Sequence, residues 1–400
     1  GSNNTATGYT ALRNNTTASY NSAFGYRAMR ETTTGASNTA MGYYALQANT
    51  TGTSNTGIGQ AAIQTNTTGS NNVSIGLQSL NANTTGNENV AVGNYALYSN
   101  TTAVDNTAIG TRSLFTNTTG TGNAALGYYA LNVNTGGNNT AVGHFAMRLN
   151  TTGTANTAVG KSALYSNTTA NNNTAVGNAC LDANTTGASN TALGASSLGA
   201  NTTGGSNVAV GNDALGNNTT GNYNVAVGSS AGDNITTGVY NVVIGHLGGG
   251  GLTTGGYNVT IATRAGEALS TGSNNTLVGY SSGAYVDTGG NNTGVGDSTL
   301  YHQGAGSASS PSNNTAVGGT AMRGTYGSFS GGNNTALGVR ALQNISSGSN
   351  NTCLGYESGR SNAPSGDITT ASGVICLGNN GVGNLYCNDT SISSSDGRDK

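Results

Sequence analysis

The sequence predicts an all-β protein, a parallel β-solenoid of about 22 short coils, and two observations carry that expectation. A cassette of the form Asn-Thr-Ala-Val-Gly returns 22 times between Gly8 and Gly378. Its closing residue falls every 17 residues from Gly8 to Gly127, and again from Gly143 to Gly245. A unit that short cannot enclose a core of its own, so each copy must pack on the copies before and after it. The molecule is a stack.

One copy runs from Asn89 to Asp105 and shows what each unit is made of. Seventeen residues are too few for two packed helices, and Asn, Thr and Gly disfavour helix in any case. Two short strands per coil are expected: Thr-Ala-Val before the Gly, and a second segment around Ala-Leu, with Asn-Thr-Thr-Gly as the turn. The first segment is apolar on both faces, as a strand buried on both sides reads. One face would line the coil and the other would meet another chain. An Asp at Ala91 or Ala108 should then abolish assembly, because it buries an unpaired charge.

Asn stands four residues before the closing position in 21 of the 22 copies, and Val374 replaces it in the last. Stacked at the spacing of parallel strands, this column (Asn89, Asn106, Asn156 and Asn190 among its members) becomes a structural amide ladder. Leu12, Met29, Leu46, Leu80, Leu97, Leu114 and Leu131 form a second column that should fill the coils. The closing Gly is replaced once, by Ala262.

Composition narrows the function. Only 6% of residues are charged and the net charge is −2, so no basic footprint for nucleic acid exists. No apolar run approaches the length of a membrane span, and membrane insertion is not expected. His144, His246 and His302 are scattered, so neither a metal site nor a cofactor is expected. The 14 acidic residues are mostly isolated and nominate no carboxylate pair for glycoside chemistry. Cys180, Cys353 and Cys376 occupy columns otherwise held by Ala, which reads as reduced, buried thiols; Cys387 falls outside the pattern. Tyr9, Tyr26, Tyr43, Tyr128, Tyr280 and Tyr356 directly follow their Gly and read as filler at the coil edge, with sugar stacking as the other reading.

Near Gly228 the repeat changes: Ala-Leu gives way to Ala231-Gly232, Ala265-Gly266 and Ser282-Gly283. The period then loosens, with gaps of 22, 20 and 23 residues ending at Gly318, Gly338 and Gly378. Three regions follow: 1–299, regular repeats; 300–380, repeats with loop insertions; 381–400, a C-terminal linker. Loops on a stiff scaffold are where recognition usually resides. Tyr301, His302, Arg323, Tyr326, Phe329 and Arg360 are therefore the candidate receptor-contact residues.

The cassette resembles the Asn-Ser-Val-Ala-Ile-Gly repeats of trimeric autotransporter adhesin heads, and the Gly-Tyr-x-Ala-Leu-x-x-Asn-Thr-Thr-Gly pattern is similar to that of phage tail-fibre-type proteins. The resemblance spans about residues 1–380 and implies a left-handed parallel β-roll in which three chains share one axis. Ser394-Ser395-Asp396-Gly397-Arg398-Asp399-Lys400 resembles the opening of the intramolecular chaperone of tail fibres, tail spikes and endosialidases. That resemblance implies Ser395 as self-cleavage nucleophile and Lys400 as its helper, with cleavage at Ser395-Asp396 only in a longer precursor. The chain itself is expected to be no enzyme.

The resulting expectation is a fibre shaft with a distal adhesion segment in a viral tail fibre, homotrimeric, meeting a host cell-surface glycan or protein. A cellular surface adhesin or extracellular filament protein is the alternative. An ice-binding solenoid is a lesser one, raised by the regular Thr columns.

Overall fold

The computed structural model describes residues 1–301, 310–324, 329–361, 363 and 365–379. Among them the chain is all-β without helix, with 22 three-residue strands. It forms two compact units, Gly1–Arg264 and Ala265–Lys400. The first holds sixteen strands, from Thr5–Thr7 to Val259–Ile261; the second holds six, from Thr276–Val278 to Ile375–Leu377. Every strand is parallel to the next within its unit, and the register follows the cassette: Val90 pairs with Thr107, Ala91 with Ala108, Val92 with Ile109. The irregular coils keep this register. Thr293 pairs with Thr315 and Thr352 with Ile375, so the strands stay aligned across the longer repeats.

The coil closed by Gly93 shows how the residues dictate the path. Ala91 in mid-strand is fully buried, while Val90 and Val92 on either side face outward and are half-buried. The interior side of the strand is thus the Ala column, and the outward side carries the larger aliphatics. An Asp at Ala91 or Ala108 would accordingly break its own coil; the side chains that face away from the coil interior are the neighbours Val92 and Ile109.

The second segment is not a strand, contrary to the sequence expectation. Ala96 and Leu97 are consecutive and both fully buried, whereas a strand sends consecutive side chains to opposite faces. The chain solves this by turning repeatedly. Tyr95 and Leu97 adopt left-handed φ of 58° and 50°, and the N–H groups of Ala96 and Asn100 close turns onto Gly93 O and Leu97 O. Each left-handed residue costs about 1–2 kcal/mol, offset by about 1.5–3 kcal/mol from burying the Leu side chain. The ladder continues through the turns as well: Tyr95 N–H reaches Leu77 O and Leu97 N–H reaches Ser113 O, both at 2.9 Å.

Two amide ladders line the interior. In the expected one, Asn106 donates its backbone N–H to Asn89 Oδ1 at 3.1 Å, and Asn89 Nδ2 donates to Ala103 O at 2.9 Å; both side chains are buried. Asn156 and Asn190 sit the same way, each buried with Nδ2 on a neighbouring carbonyl, Ala170 O and Gly204 O. The second ladder was read in the sequence only as turn chemistry. It runs through Asn49, Asn66, Asn83 and Asn100 with 2.8 Å steps, each Nδ2 also capping the carbonyl three residues on. It is interrupted between Asn117 and Asn134, where Asn117 Oδ1 has no partner, and ends at Asn218, whose buried Oδ1 has none because the next coil places Ile235 there.

That ending coincides with the loss of Leu. Where Asn218 becomes Ile235, Leu215 becomes Gly232, and a Cβ built on Gly232 would lie 2.9 Å from Ile235 Cδ1. Gly249 with Leu252, and in the second unit Gly266 with Leu269 and Gly283 with Val286, repeat the exchange. Core volume has moved three residues along the coil. Gly232→Leu alone should therefore overpack the coil, costing about 1–3 kcal/mol. Adding Ile235→Asn should recover most of that loss, since the new amide can reach Asn218 Oδ1 and the space is redistributed. Thermal melts of the two single variants and the double variant read the coupling.

Candidate functional site

Three outward-facing columns and the inserted loops are the places where this fold can meet a partner. The first column is the last strand residue before each Gly. In the first unit it is hydrophobic in every coil after the first, and Phe24, Met41, Ile75, Ile109, Leu126 and Leu193 are between 37% and 49% exposed. The second unit continues the rule with Val295, Val317, Leu337 and Leu377.

The second column follows the Gly. Tyr9, Tyr26 and Tyr43 are exposed and stack in sequence, with ring centroids 5.3 and 5.2 Å apart and planes within 15°. Tyr128 stacks on His144 in the same way at 5.4 Å. Tyr280 and Tyr356 are likewise exposed. Tyr9, Tyr26, Tyr43 and Tyr128 thus line the outside of the coils with their rings stacked on the neighbouring coil.

The third group lies two and five residues after the Gly, on the left-handed turns. Arg112 places its guanidinium 5.5–5.8 Å from the ring centroids of Tyr95, Phe115 and Tyr129. Arg148 does the same at 4.8–5.9 Å with Phe145, Tyr129 and Tyr165. Each guanidinium is tied to a phenol of the next coil, Arg112 to Tyr129 Oη and Arg148 to Tyr165 Oη. Linear reading of the sequence missed this cluster. Writing the chain in rows of 17 would have shown it, because Tyr95, Arg112 and Tyr129 then fall in one column.

The inserted loops divide. Arg323 stands 5.4 Å over the Tyr301 ring, which meets Tyr285 edge-on at 5.0 Å, so these two candidates come together. Arg360 does not join them: it pairs with Glu357 at 2.7 Å, and Arg340 pairs with the same carboxylate at 3.0 Å. The Arg340 hydrogen bond holds the Glu357 carboxyl below its ordinary range. Phe329 corrects the sequence reading outright. It is 1% exposed and fills the interior, since a large apolar ring in a loop gains more from burial than from display. His302, Tyr326, Cys387, Ser395 and Lys400 lie outside the described residues.

Reactive chemistry is sparse. Cys180, Cys353 and Cys376 are free and buried. Burial, reinforced by Cys376 in the paired strand, pushes the Cys353 thiol up to about 12, so it stays protonated and unreactive. Among the described residues no group of three or more His, Cys, Asp or Glu side chains could hold a metal ion. Neither a protein-family model nor a curated protein sequence matches the chain.

Proposed function

We propose that this chain is the shaft and distal adhesion segment of a viral tail-fibre-type protein and works as a homotrimer. The observation that carries the assembly is the outward hydrophobic column, repeated coil after coil on the strand face. A contiguous apolar surface of that kind marks an interaction site. A partner that covers one aliphatic residue on every coil must share the coil period, and a second copy of the same chain in register does so automatically. The number three, and the viral setting, rest on the resemblance of the repeats to adhesin heads and of Ser394–Lys400 to a tail-fibre chaperone opening. A uniform solenoid suits such a role: it projects a surface outward and needs no pocket.

The triple variant Ile75→Asp, Ile109→Asp, Leu126→Asp tests the assembly. Each side chain points outward, so the coils should keep their circular-dichroism spectrum while sedimentation velocity falls from a trimer to a monomer. An unchanged trimer would remove this column from the interface and with it the argument for the fibre.

A further inference from the structure

We propose that the wall of the roll between the coils closed by Gly93 and Gly160 binds a linear carboxylated polysaccharide, with Arg112 and Arg148 as its carboxylate receptors. This deepens the adhesion reading and rests on it only for the kind of target.

Both guanidiniums are held in place yet largely unspent. Each is wedged among three rings and fixed by one hydrogen bond to a phenol, which leaves most of its five donors free. Neither has a carboxylate partner among the described residues, whereas Arg30, Arg340 and Arg360 all do. No Asp or Glu occupies the positions one, two or five residues after the Gly anywhere in these coils, and Lys161 adds a further exposed cation. In a chain of net charge −2, this face is locally positive. A planar fork packed over aromatic rings is fixed in orientation and can take a carboxylate bidentately.

Spacing selects the polymer. Arg112 stands two residues after Gly110 and Arg148 five residues after Gly143, two coils later, so they are separated by roughly 10 Å along the stack at the rise of parallel strands, and both reach the Tyr129 ring between them. One coil is close to the length of one pyranose in an extended chain. Two coils therefore match a carboxylate on every second sugar, with Tyr129 in the coil between holding both guanidiniums in place. Single-stranded nucleic acid fits less well. It carries a phosphate at every unit and would need a denser run of cations, and its bases would want ring faces that the guanidiniums here already cover.

The experiment uses the full chain and four probes: hyaluronan, with alternating uronates; polygalacturonate, with a uronate on every sugar; neutral dextran; and oligothymidylate. Calorimetric titration should show hyaluronan binding most tightly and dextran not at all. Arg112→Ala with Arg148→Ala should weaken hyaluronan binding by about tenfold or more, and the double Arg→Lys variant should fail to restore it, because Lys lacks the fork. Arg340→Ala should bind as the unsubstituted chain does. Sedimentation of each variant reports assembly separately, so loss of binding with an intact oligomer is distinguishable from failure of the fibre reading. Absence of binding to both uronate polymers, equal binding by the double Ala variant, or tighter binding of oligothymidylate would each overturn the proposal.

Discussion

Asn89→Leu is expected to cost about 3 kcal/mol of local stability despite matching the size of the side chain it replaces. Asn89 is fully buried and occupied on both sides. Its Oδ1 accepts the backbone N–H of Asn106, and its Nδ2 donates to Ala103 O at 2.9 Å and to Asn72 Oδ1 at 3.2 Å. Ala103 O keeps a second donor in Asn100, but the Asn106 N–H loses the one acceptor it has. An orphaned buried donor is what makes the substitution severe. Asn89→Asp sharpens the test through pH. A buried carboxylate facing Ala103 O and Asn72 Oδ1 has its folded pKa raised above the unfolded value of about 3.9. Stability is then full below the unfolded pKa and is lost as pH rises through the folded one, so this variant should melt higher in acid than at neutrality. The Leu variant should show no such recovery on acidification.

Gly110→Val is the second substitution with a large expected effect. Gly110 has a φ of +130°, and a Cβ there would lie 2.5 Å from Gly127 O and 2.7 Å from Gly127 C, both backbone atoms of the next coil. Backbone cannot swing aside as a side chain can, and the strain should reach about 3 kcal/mol or more. Because each coil leans on its neighbours, the damage should be local. Hydrogen exchange should lose protection around Gly93 to Gly127 while coils several steps away stay protected. Uniform protection across the first unit would show that the close backbone approach at this column does not hold the stack. Ala262 gives the limiting case: one Cβ in this column is tolerated, at a φ of +108°.

How much of this was legible in the sequence follows from what periodicity encodes. Glycines 17 residues apart identified the strands and their parallel register, and the Leu97 and Asn89 columns could be read as core and ladder from repetition alone. Cys180, Cys353 and Cys376 were readable as buried because each stands where other coils have Ala. The turns after the Gly were not recognised, although consecutive apolar Ala96-Leu97 already conflicts with a two-residue strand period. The Asn49–Asn100 ladder was hidden because an Asn before Thr-Thr-Gly is adequately explained as a turn residue. The Arg112 and Arg148 cluster was hidden for a different reason: its members are far apart in the chain and share no motif, and only the stacking places them side by side. Phe329 was misjudged because position in an insertion says nothing about which way a ring points.

The central claim is that the hydrophobic column before each Gly is the face through which three copies of this chain associate. A cryo-electron-microscopy reconstruction of the intact chain at side-chain detail tests it most directly. The account predicts particles of three times the 39.3 kDa chain, with Ile75, Ile109 and Leu126 of the first unit turned toward a threefold axis and Arg112 and Arg148 open to solvent. A monomeric particle, or an axis lined by Tyr128, His144 and the arginines, would contradict it.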